Sequence, residues 1–229
     1  MTFQNKGRLA GFVYFMLVIT GIFNLVYVPL QIVDWSDAAA TVSNINSSEL
    51  LFRAGIVVGI VSYVFYLILP IILFDIFKDV DRRMAVLMVT LACASVPISI
   101  FNIVDKVNIL TLLGDDPYLK VLTPEQIQTQ VMLLLDSYNN GIAVVKIFWG
   151  LWLFPFGYLI FKSGYAPKAL GIFLMLGCFG YVFIFATKLM CPDAVIPSLI
   201  SKPATIGEIG TCLWLLVMGV KDKRDTTTN

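Results

Sequence analysis

Residues 54–77 read AGIVVGIVSYVFYLILPIILFDIF, with Asp75, near the end, as the one charge. A helix needs about 20 predominantly apolar residues to cross a hydrocarbon layer roughly 30 Å thick, so this stretch is long enough to span a bilayer. Working outward, five further stretches qualify, at about 9–33, 84–113, 140–161, 169–190 and 203–220, the last being the shortest. With 59% hydrophobic and 14% charged residues over 229 positions, the chain cannot keep its apolar surface from water as a soluble domain, and lipid becomes its solvent. The expected fold is therefore all-α: one polytopic membrane domain of six transmembrane helices. They are arranged as three outward-facing hairpins, and the connections are too short to hide a soluble domain. The first apolar run ends in QIVDW rather than in a small-residue cleavage site, which reads as a retained span.

Orientation follows from charge placement, because cytoplasmic loops carry an excess of Lys and Arg. Lys6, Arg8, Lys78, Arg82, Arg83, Lys162, Lys168, Lys221, Lys223 and Arg224 fall on one side of the alternation. Only Arg53, Lys120 and Lys202 fall on the other, accompanied by Asp34, Asp37, Glu49, Asp115, Asp116, Glu125 and Asp193. Both termini are thus expected in the cytoplasm, and an even number of spans, which sets the two ends on one side, agrees with the charge pattern.

The outer connections carry helix-start signals. Ser36 or Asp37 suits an N-cap before AAATVSNINS, and Thr123 with Pro124 and Glu125 suits a second start. Both segments are expected to form short amphipathic outer helices. The third connection, CPDAVIPSLISKP, holds three prolines and is expected to be irregular. In 148-FWGLWLFPFGYLIF-161, Pro155 predicts a kink in preference to an aromatic ligand belt. The inner connections are tighter. LPIILFDIFKDVDRRMAVLMVTLACAS from Leu69 can be laid on FPFGYLIFKSGYAPKALGIFLMLGCFG from Phe154, with proline, FK, a basic turn and a cysteine recurring in order. Either the chain contains a parallel repeat, with sites at the repeat interface as in transporters, or hydrophobic hairpins with basic turns converge by chance.

Three strings carry a family resemblance: GRLAGFVY near the start, SDAAATVSNINSSELLFRAGI after the first span, and GYLIFKSGYAPKALGIFLML followed by IGEIGTCLWLLVMGV. Together and in this order they resemble the bacterial membrane proteins grouped as domain of unknown function 4386. The resemblance covers nearly the whole chain and implies residence in a bacterial cytoplasmic membrane; it implies no activity.

Candidate functional residues come from charge at membrane depth. An ionisable side chain at the bilayer centre costs on the order of 2.5–3.5 kcal/mol by insertion scales and marks a functional hypothesis. Asp75 lies close to the basic inner turn and reads as a helix-end residue. The others gather toward the outer side: Asn102, Asp105 and Lys106 on the third span, Asp136, Asn139, Asn140 and Lys146 on the helix leading into the fourth, and Glu208 in the sixth, with Arg53 entering the second. Arg53, Asn102, Asp105, Asp136, Asn140, Lys146 and Glu208 are therefore the candidate lining of an outward-open polar cavity for a small charged or zwitterionic molecule, a lipid headgroup or an ion. The alternative is a set of structural ion pairs and snorkelling side chains. Lys146 lies deepest in its stretch, and Glu208 is its expected carboxylate partner.

The absence of His excludes imidazole haem ligation, His-containing zinc sites and Ser-His hydrolysis. No CxxC pair is present, no cofactor is expected, and nothing points to nucleic acid. Cys191 and Cys212 lie at similar expected depth, open to pairing or to reading as small apolar residues. Gly55 with Gly59, Gly177 with Gly180, and Gly207 with Gly210 permit close helix approach. Three functions compete: a ligand binder or transporter; an accessory subunit packing a small-residue face on another membrane protein; and, last, an enzyme using carboxylates such as Asp105 and Asp136.

Overall fold

The computed structural model describes residues 2–191 and 193–220; Lys221, Lys223 and Arg224 of the charge count, and Pro192, lie outside the described residues. Every regular element described is helical: α1 (Phe3–Ile22), a π-helical turn (Phe23–Tyr27), α2 (Val28–Ile32), α3 (Ala38–Ser47), α4 (Glu49–Phe77), α5 (Arg82–Asn102), α6 (Val104–Leu112), α7 (Pro124–Leu151), α8 (Leu153–Ser163), α9 (Lys168–Met190) and α10 (Lys202–Met218), with 3-10 turns at Pro117–Val121 and Ser198–Ile200. Five runs are long and apolar enough to cross a membrane: Phe3–Ile32, Glu49–Phe77, Arg82–Leu112, Pro124–Ser163 and Lys168–Met190. α10 has 17 residues, or about 26 Å at 1.5 Å per residue, slightly short of the hydrocarbon thickness.

The helix boundaries have local causes. Pro29 has no N–H, and its ring crowds the carbonyl of Leu25 four residues earlier; the chain widens there, and Val28 N–H bonds Phe23 O instead. Asp37 caps α3 by accepting from Ala40 N–H at 2.9 Å. Thr123 and Gln126 form a reciprocal capping box, at 3.3 and 2.9 Å, that starts α7. The expected separate outer helix after the third span is not formed. α7 runs unbroken from Pro124 to Leu151, because no helix breaker separates its amphipathic start from its apolar end. Pro155 does interrupt the run, and the helix breaks at Trp152, just after the residue whose carbonyl Pro155 cannot serve. α4, by contrast, passes through Pro70 without a break. Gly164 closes α8 at φ 71°, a left-handed conformation that favours glycine, and the chain turns directly into α9. The expected irregular connection is seen from Asp193 to Pro197, ahead of the 3-10 turn.

The chain divides into two compact units, one of Met1–Leu17, Val64–Pro97 and Ala143–Asn229, the other of Val18–Tyr63 and Ile98–Ile142. The first has an aromatic centre. Trp152 is 1% exposed and stacks on Phe156 at 5.2 Å with Tyr66 edge-on at 5.5 Å, while Phe77 meets Phe156 and Tyr165. Glycines bring its helices to backbone contact: a Cβ at Gly7 or Gly11 would strike the chain at Gly219–Val220 or Leu215–Leu216, and Gly157 and Gly171 each face the other's carbonyl. Lys162, near the end of α8, joins Asp81 of the α4–α5 turn at 2.8 Å and holds that carboxyl below its ordinary range. In the second unit α3 is fastened by Asn44 Nδ2 donating to Ile32 O at 3.1 Å and by Thr41, whose hydroxyl donates to Asp34 O at 2.9 Å.

Candidate functional site

Lys146, on α7, opens a cleft in the first unit with Tyr181 and Ile184 of α9 and Ser201, Ala204 and Thr205 at the start of α10, enclosing about 230 Å³. Small residues create the space. Ala204 seats on Gly177, and Ile200 O on Gly180, so α9 and α10 close beneath the cleft without side chains to fill it. The hydroxyls of Ser201 and Thr205 donate to the carbonyls of Ser198 and Ser201. Among the described residues Lys146 forms no ion pair, and its electrostatic neighbour is a second cation, Lys188. The first helical turn of α10 adds positive potential from its unpaired N–H groups. Chemically this is a cationic cleft with hydroxyls at one wall, suited to phosphate or carboxylate oxygens.

The expected direct pair between Lys146 and Glu208 is absent. Tyr181 stands between their roles: its ring lines the cleft, and its hydroxyl donates to Glu208 Oε2 at 3.4 Å. Position along the sequence puts Lys146 five residues before the end of α7 and Glu208 in the first half of α10, but it gives no azimuth, and azimuth decides which side chain meets which.

The other five candidates belong to the second unit. Arg53 pairs with Glu49 on the same helix at 2.6 Å, with both side chains more than half exposed; its guanidinium is spent on a surface pair of small energetic weight. Asp136 and Asn140 are exposed on α7, and Asp105 is half-buried in the first turn of α6. Asn102 closes a buried knot instead of a cavity. Its Nδ2 donates to Tyr138 O at 2.7 Å, in the space left by Gly141.

The residue at the centre of that knot was noted in the sequence as charged but not as a site. Lys106 is 4% exposed, donates to Asn24 Oδ1 at 2.9 Å and lies over the Tyr138 ring at 4.1 Å. Asn24, 1% exposed, comes from the π-helical turn and donates to Tyr138 OH at 3.4 Å. Gly59 leaves the room Asn24 occupies. Among the described residues no carboxylate pairs with Lys106. The readable signal was a lone asparagine inside the first apolar run, five residues before Pro29.

All four cysteines are free thiols, Cys191 exposed and Cys212 buried, with Cys212 Sγ donating to Gly11 O at 3.9 Å.

The family model described as Domain of unknown function (DUF4386) matches residues 9–219, nearly the whole chain. The chain belongs to this family. A curated relative from Archaeoglobus fulgidus, described as an uncharacterized protein, is 35% identical over 87 residues, which is 38% of this chain and 51% of the relative. The chain thus spans about half the length of the relative it matches. No solved structure matches significantly. This DUF4386 member therefore inherits no activity from its relatives, and its function is read from its own side chains.

Proposed function

We propose that this protein is a six-span protein of the cytoplasmic membrane, with both termini inside, that binds a small molecule bearing a phosphate or carboxylate group in the Lys146 cleft. The neighbouring cations Lys146 and Lys188, with no ion pair among the described residues, carry the reading. Both lysines are exposed, so an anion entering the cleft would meet two like charges and relieve their mutual repulsion. Lys and Arg placement supports the topology, and α10 completes it as a short sixth span whose ends are met by local thinning or flanking polar residues. In that topology the cleft opens outward, among the fourth, fifth and sixth spans.

The assembly reading loses its main support. The glycine faces that would meet another subunit are filled from within the chain: Gly55 by Val28, Gly177 by Ala204, Gly207 by Leu174. The protein in nanodiscs of phosphatidylcholine, heated with sodium phosphate against sodium chloride at equal ionic strength, distinguishes the outcomes. Phosphate raises Tm in the wild type and not in Lys146→Gln. Native mass spectrometry separates the two sources: an anionic lipid retained by the wild type and lost in Lys146→Gln indicates a headgroup, whereas a phosphate shift without retained lipid indicates a free anion. No phosphate shift and equal lipid retention in both proteins would overturn the reading.

A further inference from the structure

In the same unit, four buried polar atoms have no hydrogen-bond partner: Tyr14 Oη, Tyr66 Oη, Trp152 Nε1 and Thr211 Oγ1. Their residues are 3%, 7%, 1% and 0% exposed. Buried polar groups are hydrogen-bonded as a rule, and each exception calls for an explanation. These four share a neighbourhood. Tyr14 and Tyr66 lie 6.4 and 5.5 Å from the Trp152 ring, and Thr211 stands three residues from Glu208 on α10, where i and i+3 are neighbours. Glu208 is the electrostatic neighbour of Tyr14, Tyr66 and Tyr181 alike. Its hydrogen bond from Tyr181 is long, at 3.4 Å.

We infer that Glu208 is a proton-binding group in a hydrated internal chamber, bridged through ordered water to Tyr14, Tyr66, Trp152 and Thr211. The donor count leads to water and a proton rather than to a metal ion. Every orphan can donate, the indole N–H can do nothing else, and a carboxylate offers about four lone-pair sites of which Tyr181 takes one. The orphans form no direct hydrogen bond with Glu208, and a water placed between them would satisfy two or three groups. Among the described residues no Lys or Arg forms an ion pair with the half-buried carboxylate, so in a bilayer its charge is relieved by taking up a proton. The titratable groups around it are Tyr14 on α1, Tyr66 on α4, Tyr181 on α9 and Cys212 on its own helix; Cys93 of α5 lies beside Tyr66, and Lys146 of α7 shares the cleft with Tyr181. This arrangement stands whether or not the cleft takes an anion.

Infrared difference spectra of the whole protein in nanodiscs, recorded across a pH series, test it. The expected result is a protonated-carboxyl stretch that titrates, shifts in D2O, disappears in Glu208→Gln and changes frequency in Tyr66→Phe. Where Glu208→Gln fails to fold, stability of the tyrosine variants decides. Tyr14→Phe and Tyr66→Phe each lower Tm if their hydroxyls hold bridging water, and leave it unchanged or raise it if those hydroxyls are simply unsatisfied. A spectrum without the titrating band, a band abolished by sodium or potassium at constant pH, or tyrosine variants at least as stable as the wild type would each overturn the inference.

Discussion

At the scale of single residues, the Lys106 knot shows how a lysine side chain is buried with no ion-pair partner among the described residues. Its amine meets one amide oxygen and one aromatic face, an arrangement that favours the cation less than a carboxylate does but leaves few donors exposed. Lys106→Met strands Asn24 Oδ1, and Asn24→Leu strands the amine; leaving a buried polar group unsatisfied costs about 1–3 kcal/mol, more for a charged one. The double variant removes both problems, so its destabilisation is expected to fall below the sum of the singles by about 0.5–3 kcal/mol. Denaturation of the three variants in detergent measures this. Additive losses would show that the two residues do not support one another. The sequence made Lys106 visible as a charge but not as the buried member of its helix. Asn102, Asp105 and Lys106 share a helical spacing, yet the break at Ile103 between α5 and α6 changes which of them faces inward.

Among elements, legibility followed the strength of local signals. Asp37 and Thr123 act as caps as their sequence contexts predict, and Pro155 ends α7 one turn early, as a missing donor requires. The continuity of α7 was hidden because an amphipathic start and an apolar end suggest two environments, while the backbone hydrogen-bond ladder responds only to breakers. Glycine pairs were legible in three places and overlooked in a fourth, GRLAG at Gly7 and Gly11, where α1 meets the end of α10. Two glycines on that same helix make a matched test. Gly11→Ala pushes a methyl into the backbone of Leu215 and Leu216 and is expected to cost about 1–3 kcal/mol by overpacking. Gly21→Ala meets only Ser62 Oγ at 3.7 Å, ordinary contact, and is expected to be neutral or to stabilise by up to about 1 kcal/mol through helix propensity. Thermal unfolding of both variants checks the contrast, and equal losses would contradict the packing of α1 on α10.

For the whole molecule, composition pointed to lipid as the solvent, and five runs have the length and apolarity to cross a membrane. What composition leaves open is pairing in space. Of seven residues chosen for charge or polarity at depth, Lys146 lines a cleft, Glu208 lies behind Tyr181, and Arg53 spends its charge on the surface. The central claim is that the chain crosses the membrane so that this cleft faces outward while the turn near Asp79 faces the cytoplasm. After replacement of the native cysteines, labelling of single-cysteine variants in intact cells by a membrane-impermeant maleimide tests it. Ser201→Cys at the cleft and Val195→Cys beside it are predicted to label, with phosphate slowing only Ser201→Cys, and Asp79→Cys to label only after permeabilisation. Labelling of Asp79→Cys in intact cells, or of Ser201→Cys only in permeabilised ones, would contradict the account.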